Sequence, residues 1–181
     1  MLISPNKALL LVVDIQEKLV PAVCQPEQLI KQTRWLMEIA TLLKVPVLVS
    51  EQYPQGLGHT VAELAELVST EQIVDKVYFS CAAESPCLEK IRQQQRSQIV
   101  ICGMEAHVCV FQTAVGLKEQ GFDVFVVSDL ISSRHEGDKQ LAIARLQQLQ
   151  IQIVSREMVA FEWMEKSGTE SFKAISKNYL R

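Results

Sequence analysis

Six short apolar runs, spaced along the chain and separated by amphipathic stretches, constrain this sequence more than any other feature. They lie at residues 8–13, 45–49, 73–79, 99–102, 124–127 and 151–154. Five are nearly continuous in Val, Ile, Leu, Ala, Phe and Cys; the third carries Asp75 and Lys76 within it. Strands that alternate apolar and polar residues bury one face, whereas continuous apolar runs bury both, as in a parallel sheet covered by helices on each side.

The intervening segments fit that arrangement. In residues 26–44, Leu29, Thr33, Leu36, Ala40 and Leu43 recur at three- and four-residue spacing, which predicts a helix. Residues 60–68 read as a shorter helix, with Thr60 as N-cap and Glu63 three residues on. Residues 85–95 begin Ser85-Pro86, a cap followed by a proline suited to a first helical position. Residues 106–120 form an amphipathic segment closed by Gly121. Residues 138–149 and the tail from Glu157 are also expected to be helical. The reading is one α/β domain over residues 1–181, a doubly wound three-layer sandwich around a six-stranded parallel sheet.

The bulk properties narrow the function. At 181 residues the chain suffices for one core, and 48% hydrophobic with 22% charged residues is ordinary for a globular domain. A net charge of −3 gives no reason to expect nucleic acid or an anionic membrane as partner. No apolar run approaches the ~20 residues that span a bilayer, and the start lacks the basic region and cleavage site of a signal peptide. The five cysteines, Cys24, Cys81, Cys87, Cys102 and Cys109, are scattered and form no CxxC pair. Free thiols and a cytoplasmic location are therefore expected, with most of the thiols buried.

In a doubly wound sheet the site lies at the carboxyl ends of the strands. The polar residues falling there are Asp14 and Gln16, residues 51–58, Lys76, residues 103–109, and Ser128 with Asp129. Each has an unremarkable reading: a loop carboxylate for Asp14, a solvated or Asp75-paired lysine for Lys76, a packed thiol for Cys109. Together they suggest chemistry. A cysteine at a helix start feels free N–H groups and the positive end of the dipole. A nearby ammonium would lower its pKa, and a carboxylate could shuttle its proton.

The chain resembles the isochorismatase-like cysteine hydrolase superfamily in "LLLVVDIQ", "VPVLVSEQYPQGLG", "VDKVYFS", "VICGMEAHVCV" and "VSDLISSR", which cover most of it in order. The "EQYPQGLG" loop is most similar to the isochorismatase-domain-containing branch. The resemblance implies an aspartate–lysine–cysteine triad on Asp14, Lys76 and Cys109, and a strand order 3-2-1-4-5-6. It also implies a cis peptide at Met104–Glu105, which would turn the Glu105 N–H towards the nucleophile. The backbone N–H groups of Glu105 and Cys109 would then form an oxyanion hole. Members that bind a metal carry an Asp-x-His pair after the second strand. Here that position reads Ser50-Glu51-Gln52-Tyr53, with only His59 following, so no metal is expected. There is also no GxGxxG or GK[ST] motif, and no cofactor is expected.

The expected activity is metal-independent hydrolysis of an amide or ester of a small molecule through a Cys109 thioester; the alternative is a non-catalytic binding or scaffold protein that keeps the fold. Gln16, Tyr53, His59, Phe79 and His107 are the candidate pocket residues. Gln16 would bond the lysine or the substrate, and Tyr53 and Phe79 would line a pocket or pack in the core. His59 would sit in the loop over the site. His107, two residues from Cys109, does not share its helix face and is read as structural or substrate-contacting. Phe161, Trp163 and Met164 in the tail suggest a homo-oligomer.

Overall fold

The computed structural model describes residues 1–180. Six parallel strands form one sheet: β1 (Ala8–Val13), β2 (Val47–Gln52), β3 (Ile73–Lys76), β4 (Gln98–Met104), β5 (Asp123–Ser132) and β6 (Gln152–Val154). Their order is β3-β2-β1-β4-β5-β6, the order that the resemblance implies. Eight α-helices connect and cover them: α1 (Pro26–Leu42), α2 (Pro54–Leu57), α3 (Ala62–Ala65), α4 (Ser85–Gln93), α5 (Phe111–Glu119), α6 (Glu136–Gln148), α7 (Arg156–Met164) and α8 (Glu170–Tyr179).

The continuous apolar runs divide their residues between two cores. Successive side chains of a strand point to opposite faces. Accordingly Ala8, Leu10 and Val12 join Leu36, Met37 and Ala40 of α1 and Val159 and Trp163 of α7. Leu9, Leu11 and Val13 join Ile91 of α4, Ala114 and Leu117 of α5 and Leu146 of α6. Every residue of β1, β2 and β4 is buried, which places their ends, and the polar residues that follow, at the floor of whatever site the sheet carries.

Several elements depart from the sequence reading: β5 runs on to Ser132, past the expected end at 127, and takes Ser128 and Asp129 into the strand, and residues 54–57 form an unexpected short helix. The third strand stops at Lys76 instead of continuing to Phe79. It is an edge strand whose one neighbour, β2, ends at Gln52 opposite Lys76, so residues beyond it have no ladder to join. The Val77 N–H goes instead to the Glu84 carboxylate at 3.0 Å. The helix expected at 60–68 shrinks to Ala62–Ala65 because Thr60 does not cap it. The Thr60 N–H and hydroxyl both bond the Glu51 carboxylate, each at 2.7 Å. The segment carrying Cys109 opens with one π-turn, Ala106–Val110, before α5 begins at Phe111.

The tail also corrects an expectation. Trp163 and Met164 are buried in this chain's own core; only Phe161 of that trio is exposed. They give no argument for a partner subunit.

Candidate active site

The sheet brings Asp14, Lys76 and Cys109 to one place. Asp14 follows the last residue of β1 and takes a left-handed backbone conformation, φ 52°, which Asp tolerates better than most residues. Its N–H is held by the Ser50 carbonyl at 3.1 Å. Lys76 closes β3, two strands away, and its Nζ donates to Asp14 Oδ2 at 2.7 Å. Ser50 Oγ donates to the other oxygen, Oδ1, also at 2.7 Å. The Cys109 thiol lies close enough to the Asp14 carboxyl for each to shift the other's protonation.

β4 approaches β1 very closely where Gly103 pairs with Val13 at the end of their parallel ladder, just before the segment that carries Cys109. A Cβ on Gly103 would lie 2.0 Å from the Val13 carbonyl oxygen, and Gly103 has φ +120°; only glycine fits there. The Met104–Glu105 peptide that follows is cis, where the resemblance implies it. The chain then enters the π-turn, with the Val110 N–H reaching back to the Glu105 carbonyl at 3.2 Å. The Glu105 side chain points away from the thiol and is clamped by Arg134, through Nη2 at 2.8 Å and Nε at 3.1 Å.

The electrostatics of the cluster follow from its burial. Lack of solvent pushes the Asp14 carboxyl above its ordinary value, and Lys76, Ser50 and Cys109 only partly offset that. Burial also works against the Lys76 charge, but Asp14 and the thiols of Cys109 and Cys81 outweigh it, so the ammonium is firmly held. The Cys109 thiol is raised, first by burial and then by the Asp14 carboxylate, against the opposing pull of Lys76. This reverses the expectation of a thiol lowered towards neutrality. The ammonium is already engaged by Asp14, so less of its charge acts on the thiol.

The remaining candidates separate clearly. Gln16 bonds neither the lysine nor an open space. Its Nε2 donates to the carbonyls of Gln52 at 3.0 Å and Gly58 at 2.6 Å, and its Oε1 accepts the Gln52 N–H at 2.7 Å. It ties the end of β2 to the loop over the site. His59 lies in that loop, largely exposed, with Nδ1 2.9 Å from Glu51 Oε2. Glu51 is buried, and burial alone would raise its carboxyl; the Thr60 hydroxyl and N–H and His59 together hold it below the ordinary value. Glu51 holds His59 above its own. His107 Nδ1 lies 2.9 Å from Ser133 Oγ and its Nε2 4.0 Å from the Asp138 carboxylate.

Tyr53 and Phe79 are not core residues: they are 53% and 52% exposed, beside Val77 at 67% and Tyr78 at 59%. Ser128 and Asp129 lie off the site, Ser128 on the Val154 carbonyl and Asp129 paired with Arg156.

Sequence reasoning missed Ser50 and Gln52. Gln52 Oε1 accepts from Lys76 Nζ at 2.6 Å, so both ends of the ion pair are held from β2. The signal was present. "VPVLVSEQ" is an apolar run that turns polar at 50–52, and Ser50 and Gln52 share one face of a strand.

The isochorismatase domain model matches residues 8–158. The chain belongs to the isochorismatase family. Isochorismatase family protein 1A of Dictyostelium discoideum is 34% identical over 179 residues, covering 96% of this chain and 86% of the relative. Among solved structures, the MAR1 ribonuclease of Caenorhabditis elegans superposes with a TM-score of 0.92 at 34% identity, covering 100% of this chain and 93% of that one. An octameric hydrolase of unknown specificity from Escherichia coli has the same fold, with a TM-score of 0.92 at 22% identity over 99% of this chain and 91% of that one.

Proposed function

We propose that this isochorismatase-family chain is a metal-independent cysteine hydrolase that cleaves a C–N amide bond, or an ester, of a small molecule. The observation that carries the reading is the buried Asp14–Lys76 ion pair at 2.7 Å with Cys109 beside the same carboxylate. A raised thiol next to a base transfers its proton as it attacks, instead of resting as thiolate. Asp14 takes the Cys109 proton while the sulfur bonds the carbonyl carbon. The oxyanion is met by the Glu105 and Cys109 N–H groups. Asp14 returns the proton to the leaving amine or alcohol as the C–N or C–O bond breaks, leaving a thioester. Water then attacks the thioester, giving one proton to Asp14 and hydroxyl to the acyl carbon; the C–S bond breaks, the carboxylic acid leaves, and the sulfur recovers its proton from Asp14. Lys76 stays charged throughout and keeps the carboxyl aimed.

Residues 1–181 act as one domain. α8 lies beyond the matched segment, yet its Ile175 is buried in the same core as α1. The exposed group Tyr53, Val77, Tyr78 and Phe79, next to the ends of β2 and β3, suits the apolar part of a substrate and the contact face of a homo-oligomer. That assembly is in keeping with the octameric hydrolase that shares the fold. Free cysteines throughout suit a reducing, cytoplasmic setting. Among the described residues no helix is long and apolar enough to cross a membrane.

The test is turnover of an amide and ester library by the wild type and by Cys109→Ala, with RNA as a separate arm because one structural relative is named a ribonuclease. Turnover of a small amide or ester that is lost in Cys109→Ala supports the reading. Equal rates in both proteins, or RNA cleavage independent of Cys109, overturn it.

A further inference from the structure

The charged pair at the site is held from a single strand face. Ser50 and Gln52 stand two residues apart on β2; Ser50 bonds the aspartate and Gln52 bonds the lysine. Gln52 is in register with Lys76 across the β2–β3 ladder. All of its polar groups are engaged. Its Nε2 donates to the Val77 carbonyl at 2.8 Å, which fixes the amide so that the oxygen, not the NH2, faces the ammonium. Its main-chain N–H and carbonyl are both gripped by Gln16.

An ammonium has three N–H donors in tetrahedral arrangement. With a single acceptor, Asp14, the Lys76 rotor could spin about that bond. A second fixed acceptor removes this freedom and settles the direction of the third N–H. We propose that Gln52 is a positioning residue: by fixing the Lys76 ammonium between Asp14 and its own amide oxygen, it sets the charge that the Cys109 thiol senses. Gln16 acts one step further out, as the clamp that holds Gln52.

The proposal rests on the cysteine-hydrolase reading for its purpose but not for its test. Alkylation of Cys109 by iodoacetamide is followed against pH by peptide mass spectrometry, in wild type, Gln52→Met and Gln52→Glu. Gln52→Met keeps the side-chain length and deletes the acceptor. Its alkylation midpoint should rise by about one pH unit, a roughly tenfold slower reaction below the midpoint, while the high-pH plateau stays within about twofold. Gln52→Glu keeps an acceptor oxygen but adds a carboxylate that competes for the ammonium, so its midpoint should rise as well. A loss confined to the plateau or to thermal stability would mark Gln52 as merely structural. A wild-type midpoint in either folded variant overturns the proposal. Because the profile needs no substrate, equal turnover by wild type and Cys109→Ala would defeat the hydrolase reading without touching this result.

Discussion

The Asp14 carboxylate and the Lys76 ammonium meet at 2.7 Å, and neither side chain has any solvent-exposed surface. The two residues stand 62 positions apart in the chain, on strands separated in the sheet by β2. Their contact is a property of the fold and not of any local motif.

Such a pair is costly to break from one side. Lys76→Met would leave a buried carboxylate with no countercharge and the Ser50 hydroxyl still bonded to it, at a cost on the order of 3–5 kcal/mol. Asp14→Asn combined with Lys76→Met leaves no charge and should recover most of the loss. Urea unfolding of the two single variants and the double variant measures this; a wild-type midpoint for Lys76→Met would show that the pair contributes nothing.

Gly103→Ala should be among the most damaging small substitutions. The new methyl would overlap the Val13 carbonyl oxygen, and φ +120° is unfavourable for alanine. A loss of about 2 kcal/mol or more is expected, since strands β1 and β4 must separate. Thermal unfolding of the purified variant checks it, and a melting point unchanged from wild type would contradict the close approach.

The loop contact between His59 and Glu51 should depend on pH in a defined window. Glu51 is held below its ordinary 4.5, so its contribution is present above 4.5 and fades as pH falls through the lowered value. His59 is held above 6.5, so its contribution is complete below 6.5 and fades as pH rises through the raised value. The melting-temperature gap between wild type and His59→Gln should therefore be widest between 4.5 and 6.5 and narrow on the alkaline side. A gap that grows with alkalinity would exclude the pairing.

The exposed apolar group makes its own prediction. Replacing Val77, Tyr78 and Phe79 together by serine removes apolar surface that no core contains. If this group is the contact face, the mass by light scattering should fall from that of an oligomer towards 20.4 kDa. An oligomer of unchanged mass would place the interface elsewhere.

The sheet and its two cores were legible in the sequence because burial on both faces writes itself as unbroken apolar runs. Asp14, Lys76 and Cys109 were legible as strand-end and helix-start residues, and family resemblance grouped them. The end of β3 was not legible, because its apolar continuation "VYF" depends on whether β2 offers further ladder partners. The roles of Gln16 and Gln52 were hidden for a related reason. Both are glutamines near the same loop, and only the three-dimensional register assigns one to the main chain and the other to the lysine. The direction of the Cys109 shift required knowing how much solvent reaches the thiol, which no spacing encodes.

The central claim is that the Cys109 sulfur bonds the acyl group during turnover. Rapid-quench mass spectrometry of the intact protein, mixed with a substrate from the amide and ester library, reads this directly. The account predicts a transient mass increase equal to the acyl group, mapped to Cys109 and absent in Cys109→Ala. Turnover at full rate with no acyl adduct at any time, or with the adduct on another residue, would contradict it.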